Sequence, residues 1–151
     1  MIARETETRD NYSRFYPITT RWMDNDSYGH VNNVTYYSYF DTAANQYLIE
    51  QGGLDLGSAP VIGVVVSSAC TYQSSLAYPQ RLEAGLRVDR LGNRSVQYGL
   101  AIFAEGESQA SAHGHFVHVF IDRETRQAVA IPAEIRQALE KIEVRDQPAA
   151  L

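Results

Sequence analysis

The segment 21–33 is the part of the chain whose residue types and spacing best suit catalysis. It reads RWMDNDSYGHVNN and brings aspartate, histidine and asparagine side chains together in one polar, turn-prone stretch. Residues 16–22, rich in aromatic and β-branched types, predict a strand immediately before it. Asn32 or Asn33 can cap the helix predicted after it. The loop is therefore expected between two rigid elements, where reactive groups are commonly placed.

Asp26 is the candidate reactive group of this loop. It stands a few residues before the predicted helix start, where free N–H groups and the positive end of the helix dipole favour developing negative charge. A carboxylate there can act as nucleophile or general base while a backbone amide holds a carbonyl oxygen. That combination suits hydrolysis of an ester or thioester. Aspartates before helices also form turns and caps, so residue types alone leave a purely structural role open.

The remaining chain predicts the elements that position this loop. A helical period over 34–51 ends at Gly52-Gly53, and Pro132 is placed to open a short last helix. Between them the apolar period changes to two, which predicts strands over 61–72, 82–91, a third strand after the turn Gly92-Asn93, and 108–121. Consecutive strands joined by short turns predict an antiparallel sheet, one face of which the long helix must cover. We therefore expect an α+β fold, as a single domain over 1–151.

The composition limits the classes of partner that the protein is expected to bind. The chain has 151 residues and a net charge of -5, which argues against broad attraction to nucleic acid or an anionic membrane. The longest apolar run, 59–66, is too short to span a bilayer. The N-terminus carries no apolar stretch typical of a secretory signal, so a cytoplasmic location is expected. A single cysteine, Cys70, excludes an internal disulfide, and we expect it to be a small core residue.

Three strand histidines raise the question of a metal site. His113 and His115 share one face of a predicted strand, whereas His118 points to the other. No nearby carboxylate completes a ligand set, so we expect neither a metal site nor a cofactor.

A long string with fixed spacing identifies a resemblance. The pattern R-W-x-D-x-D-x-x-G-H-V-N-N-x-x-Y-x-x-Y-F, from Arg21 to Phe40, resembles the signature of hotdog-fold thioesterases of the 4-hydroxybenzoyl-CoA thioesterase type. The resemblance extends over nearly the whole chain. It implies the hotdog fold, a long central helix wrapped by a five-stranded antiparallel sheet, and the hydrolysis of an acyl-CoA thioester to free acid and CoA.

The resemblance also implies residue roles. Asp26 would be the nucleophile or general base, a backbone N–H near Asn33 would hold the carbonyl oxygen, and His30 belongs to the same catalytic group. Asp24 would support the loop. Arg94 would contact CoA phosphates, because charge-assisted contacts suit that ligand. The residues expected to bind substrate are Tyr72, Gly92, Asn93, Arg94 and Ser95.

The sequence leaves two alternative functions open and also indicates an oligomer. A non-catalytic acyl-CoA-binding module and a thioester hydratase or dehydratase share this fold, because a fold does not imply one activity. Asp26 favours hydrolysis over binding alone, and the predicted helix lacks the histidine that such hydratases use. An exposed edge strand and an open sheet face favour a homodimer or homotetramer. The acyl group, and the choice between CoA and acyl carrier protein, stay open.

Overall fold

The computed structural model describes residues 7–144, which form one antiparallel sheet packed on a long helix. The strand order is β1-β3-β4-β5-β2. This arrangement confirms the α+β prediction and is the hotdog fold. The helices and strands are β1 Arg14–Thr19, α1 Thr35–Gly52, β2 Val61–Tyr72, β3 Arg81–Leu91, β4 Ser95–Ala104, β5 Ala112–Asp122 and α2 Ala133–Glu140.

Helix α1 begins after a turn and ends at a glycine. Its N-cap is Val34, which makes no side-chain capping bond, so the prediction that Asn32 or Asn33 caps the helix is wrong. The Asn32 Oδ1 instead accepts a hydrogen bond from the Val34 N–H at 3.0 Å, in the turn just before the helix. Gly53 ends the helix in the left-handed conformation, with φ of 67°. None of the helices within residues 7–144 is long and apolar enough to cross a membrane.

The inner face of the sheet is buried as the alternation predicts. The apolar residues predicted to share a face on β3 and β4 are all buried, namely Leu82, Ala84, Leu86, Val88, Val96, Tyr98, Leu100 and Ile102. On α1, Tyr36, Phe40, Ala43 and Tyr47 form the buried side, whereas Ile49 is 42% exposed.

The outer face of the sheet is partly covered by the segment before β1. Tyr12 of this segment packs against Phe103 with ring centroids 5.9 Å apart, and Phe15 of β1 packs beside it with its ring centroid 5.8 Å from Phe103. Arg9 lies over the Phe103 ring at 4.9 Å and forms an ion pair with Glu83 at 2.8 Å. Part of the sheet face that the sequence led us to expect open is therefore closed by the chain itself.

Two predicted strand ends differ from the structure. The first strand ends at Thr19, and Trp22 lies in the 3-10 turn Trp22–Asp24, where it is 79% exposed. The turn forms because the Asp24 side chain and backbone bond back to Arg21. The last strand begins at Ala112 rather than 108, because Ser111 already bonds both to β4 and to the chain after β2.

Candidate active site

Asp24 anchors the loop between β1 and α1. Its side chain is 2% exposed. The carboxylate accepts the Arg21 backbone N–H at 2.9 Å, the Arg21 guanidinium at 3.2 Å and the Tyr39 hydroxyl at 2.8 Å. Its backbone carbonyl accepts the Asn32 N–H at 2.9 Å. This supports the loop-stabilising role that the resemblance implies for Asp24.

Asp26 lies at the tip of the same loop. Its N–H donates to the His30 carbonyl at 2.8 Å, and Gly29 makes the turn possible with φ of 83°. Its Oδ1 accepts the backbone N–H groups of Tyr28 at 2.8 Å and His30 at 3.4 Å. The other oxygen, Oδ2, accepts no hydrogen bond from any residue between 7 and 144. The loop therefore orients the carboxylate through one oxygen and leaves the second for a reactant.

Four of the predicted site residues line one pocket of about 320 Å³. These are Asp26, His30, Asn33 and Tyr72. Throughout the described part of the chain, the Asn33 N–H has no hydrogen-bond acceptor. Two lining residues, Asp26 and Asn33, thus each have a polar group without a hydrogen-bond partner among residues 7–144. The other residues lining it are Val31, Tyr36, Gln73, Ser74 and Ser75.

Two tyrosines form one wall of this pocket. The Tyr72 hydroxyl donates to the Asn33 carbonyl at 2.8 Å, and its ring packs edge-on against Tyr36 at 5.1 Å. Burial raises the pKa of Tyr36 to about 12 and also raises the pKa of Tyr72. Both hydroxyls therefore keep their protons at neutral pH.

The pocket also contains a segment that we did not predict. Gln73, Ser74 and Ser75 follow β2 and complete the lining. The Gln73 and Ser74 N–H groups donate to Ser111, and Val31 of the active-site loop donates to the Leu76 carbonyl at 2.7 Å. The only sequence signal was a polar run at the end of a strand. Which loop it would meet depends on how distant segments pack.

The predicted CoA-binding hairpin, Gly92–Ser95, lies at the other end of the sheet. On β5, Ala112 pairs with Tyr72, whereas Val119, seven residues further along, pairs with Ser95. At about 3.3 Å per residue, roughly 20 Å of strand separates the two levels. A single chain therefore does not bring the hairpin to the Asp26 pocket.

The hairpin backbone is held while two of its side chains face solvent. The Asn93 and Arg94 carbonyls accept N–H groups of Ile131 at 3.0 Å and Phe120 at 2.8 Å. The Gly92 carbonyl accepts the Arg136 guanidinium at 2.8 Å. Asn93 and Arg94 are exposed. The Arg94 guanidinium has no side-chain partner among residues 7–144, so it is available to a ligand.

Comparison with known proteins identifies the family. A model described as the thioesterase-like superfamily matches residues 20–139. The chain belongs to this superfamily. It is 58% identical to the PA5185 protein of Pseudomonas aeruginosa strain PAO1, whose crystal structure superposes with a TM-score of 0.92 over 95% of this chain and 100% of that one.

Two named thioesterases extend the comparison. The long-chain acyl-CoA thioesterase FadM of Escherichia coli is 28% identical over 126 residues, 83% of this chain and 96% of FadM. The 1,4-dihydroxy-2-naphthoyl-CoA thioesterase Slr0204 of Synechocystis has a TM-score of 0.76 at 17% identity, over 85% of this chain and 96% of that one, which shows the shared fold. The protein is a thioester hydrolase. Membership of the narrower 4-hydroxybenzoyl-CoA group stays a prediction.

The remaining reactive side chains of this thioesterase lie outside the pocket lining. His118 is 1% exposed, its Nδ1 lies 3.1 Å from the Tyr98 hydroxyl, and burial lowers its pKa to about 4. His113 and His115 are half-buried on the opposite face, as the alternation predicts. Cys70 is also half-buried, and desolvation raises its thiol pKa to about 11, which disfavours a nucleophilic thiolate. Residues 7–144 contain no group of three or more side chains suited to hold a metal ion.

Proposed function

We propose that the protein hydrolyses an acyl-CoA thioester to the free acid and CoA, with Asp26 as nucleophile or general base. The observation that carries this proposal is that Asp26 and Asn33 line one pocket, while the Asp26 Oδ2 and the Asn33 N–H have no hydrogen-bond partner within residues 7–144. A thioester carbonyl bound between them would meet an attacking group at carbon and a donor at oxygen. The similarity to FadM, named a long-chain acyl-CoA thioesterase, supports acyl-CoA as the substrate class.

Two routes use this geometry. As a nucleophile, Asp26 adds to the thioester carbon, CoA leaves as its thiolate, and water cleaves the resulting mixed anhydride. As a general base, Asp26 takes a proton from a water molecule whose oxygen adds to the same carbon. The tetrahedral intermediate then breaks its C–S bond, CoA leaves as its thiolate, and the proton held by Asp26 is returned to the thiolate or to solvent. Both routes place negative charge on the carbonyl oxygen, which the Asn33 N–H stabilises. His30 also lines the pocket and is the third member of the proposed catalytic group.

The test combines a panel of acyl-CoAs, assayed by release of free thiol, with an Asp26→Asn variant. Asn keeps the shape but removes the negative charge, so kcat on the best substrate should fall about a hundredfold or more. Asp10→Asn, the same change at an exposed aspartate outside the pocket, is the matched control. Near-normal turnover by Asp26→Asn would contradict the assigned role. Binding of acyl-CoA without thiol release by the unmodified protein would indicate the binding-module alternative instead.

We further propose that the working unit is at least a dimer joined through β2. Within residues 7–144 this strand pairs only with β5, and its other edge is unpaired. Val65 and Val66 on it are 44% and 59% exposed. An unpaired apolar edge is a template for pairing with a second copy.

This dimer would bring the Asp26 pocket of one subunit close to the 92–95 hairpin of the other. If two β2 strands pair antiparallel about their centre, Tyr72 of one chain lies beside the Val61 end of its partner. That is the end of the sheet at which the 92–95 hairpin lies. The hairpin of the partner subunit would then supply the CoA contacts for the Asp26 pocket. A cytoplasmic location and a reaction without a cofactor stay predictions.

A further inference from the structure

A buried hydrogen bond links the active-site loop to the interior of α1. The Tyr39 hydroxyl donates to Asp24 Oδ2 at 2.8 Å, and the same oxygen accepts the Arg21 backbone N–H at 2.9 Å. Tyr39 is 6% exposed and Asp24 is 2% exposed. Bonds to a charged acceptor, shielded from water, hold geometry more firmly than exposed ones.

The two reactive groups of the proposed site are held by different elements. Asp26 belongs to the loop, whereas the Asn33 N–H belongs to the turn that starts α1. Asp24 contacts both elements, because its carbonyl accepts the Asn32 N–H at 2.9 Å and its side chain is bonded to Tyr39. Other bonds that leave the loop do not join Asp26 to α1. Asn25 accepts the Tyr78 N–H and Val31 donates to the Leu76 carbonyl. The Asn33 carbonyl accepts the Tyr72 hydroxyl of β2.

We infer that Tyr39 and Asp24 are a positioning pair that sets the separation between Asp26 and the Asn33 N–H during thioester hydrolysis. This inference rests on the proposed function and assigns Tyr39 no contact with substrate. Burial, followed by the hydrogen bond to Asp24, raises the pKa of Tyr39, so its hydroxyl stays a donor across the usual assay range. Displacements of about 1 Å between reacting groups can cost on the order of a hundredfold in rate.

Tyr39→Phe tests the pair with the smallest change. The ring and its edge-on contact with Tyr36 at 6.0 Å are retained, and one hydroxyl is removed. We expect kcat to fall about tenfold or more while KM changes less than about twofold, because orientation rather than substrate binding is lost. A loss of folding stability alone would not lower kcat in this way when activity is measured well below Tm, because the protein would still be folded.

Tyr98→Phe is the matched control. Tyr98 is fully buried, and its hydroxyl bonds to His118 rather than to the active-site loop. Tyr98→Phe should lower Tm by about as much as Tyr39→Phe does, and its kcat should stay within about twofold of that of the unmodified enzyme. Because Tyr39 acts through Asp24, Tyr39→Phe should add little to the loss that Asp24→Asn causes alone. If Asp24→Asn does not fold, the kcat values of Tyr39→Phe and Tyr98→Phe still test whether Tyr39 has a positioning role.

Two results would overturn the inference: Tyr39→Phe with a kcat within twofold of the unmodified enzyme, or equal kcat losses in Tyr39→Phe and Tyr98→Phe. Asp26→Asn separates this failure from that of the proposed function. If Asp26→Asn is inactive while Tyr39→Phe is normal, only the positioning pair is wrong. If Asp26→Asn is fully active, the proposed function itself fails.

Discussion

Asp24 and Asp26 stand two positions apart in one loop and meet opposite environments. The Asp24 carboxylate is buried and accepts hydrogen bonds from Arg21 and Tyr39. The Asp26 carboxylate is half-buried and borders a cavity with one oxygen unengaged. A carboxylate saturated with donors stabilises structure, whereas one with a free oxygen can react. At the scale of single residues, hydrogen bonding separates the supporting aspartate from the proposed catalytic one.

Arg94 is the residue that we expect to contribute most to CoA binding. Its guanidinium is exposed at the 92–95 hairpin, and a phosphate contact there would exist equally in the ground and transition states. Arg94→Ala should therefore raise KM about tenfold or somewhat more, equivalent to at least about 1.4 kcal/mol, with little change in kcat. Steady-state kinetics on the best acyl-CoA would measure it.

A truncated substrate tests whether the effect of Arg94→Ala depends on the nucleotide phosphates. A pantetheine thioester without the nucleotide phosphates should show a much smaller difference between Arg94→Ala and the unmodified enzyme. If both substrates are slowed equally, Arg94 supports the fold or the subunit interface. The phosphate site would then have to be sought at Arg90, Arg123 and Arg126.

At the scale of elements, β5 carries different chemistry on its two faces. Phe116, His118 and Phe120 are buried on the inner face, and His113 and His115 are half-buried on the outer one. Gly63 on β2 leaves the space that His118 occupies, because a Cβ there would lie 3.2 Å from the imidazole Nδ1. A titratable ring is therefore packed into the core beside the Tyr98 hydroxyl.

His118 should make stability depend on pH. Burial lowers its pKa from 6.5 to about 4, so between these values the unfolded chain binds a proton that the folded chain excludes. The stabilisation associated with neutral His118 is complete above about pH 6.5 and is lost as pH falls towards 4, by about 2–4 kcal/mol in total. His118→Gln, neutral at every pH, should lack this component. Urea unfolding at about pH 7 and pH 4.5 measures it, and a constant difference between the two proteins would contradict it.

At the scale of the whole molecule, one chain holds the parts of the proposed site at opposite ends of its sheet. The Asp26 pocket lies at the Tyr72 end of β2, and the 92–95 hairpin lies at the Val61 end. The segment before β1 closes part of the outer sheet face, whereas the β2 edge stays unpaired within residues 7–144. Pairing through β2 is therefore better supported than pairing through the outer face.

Mixed dimers test this assembly. Dimers with Asp26→Asn in one subunit and Arg94→Ala in the other, isolated with two affinity tags, contain one intact site if the hairpin acts on the partner's pocket. At low substrate concentration they should recover about half the activity of the unmodified dimer, whereas each parent variant is impaired on its own. Recovery no greater than the average of the parents would mean that Arg94 does not act on the partner's pocket. Light scattering that returns a 16.9 kDa monomer at micromolar concentration would exclude the dimer.

The sequence by itself determined the features that depend on neighbouring residues. The period of two on β3 and β4 predicted which side chains face the core, since alternate residues of a strand point to opposite faces. Gly53 marked the end of α1, because glycine readily adopts the left-handed conformation that closes a helix. The string from Arg21 to Phe40 pointed to the superfamily that the comparisons confirm.

Only the tertiary structure decided which of these features meet. Only part of the difference between Asp24 and Asp26 is local. Arg21 bonds to Asp24 from three residues away, whereas the bond from Tyr39 and the cavity beside Asp26 arise from packing. The polar run 73–75 joins the site through contacts with Val31 and Ser111, which lie far away in the chain. The separation of the 92–95 hairpin from Asp26 follows from strand register. Burial and register come from pairing distant segments, and a local pattern of residue types does not encode which segments pair.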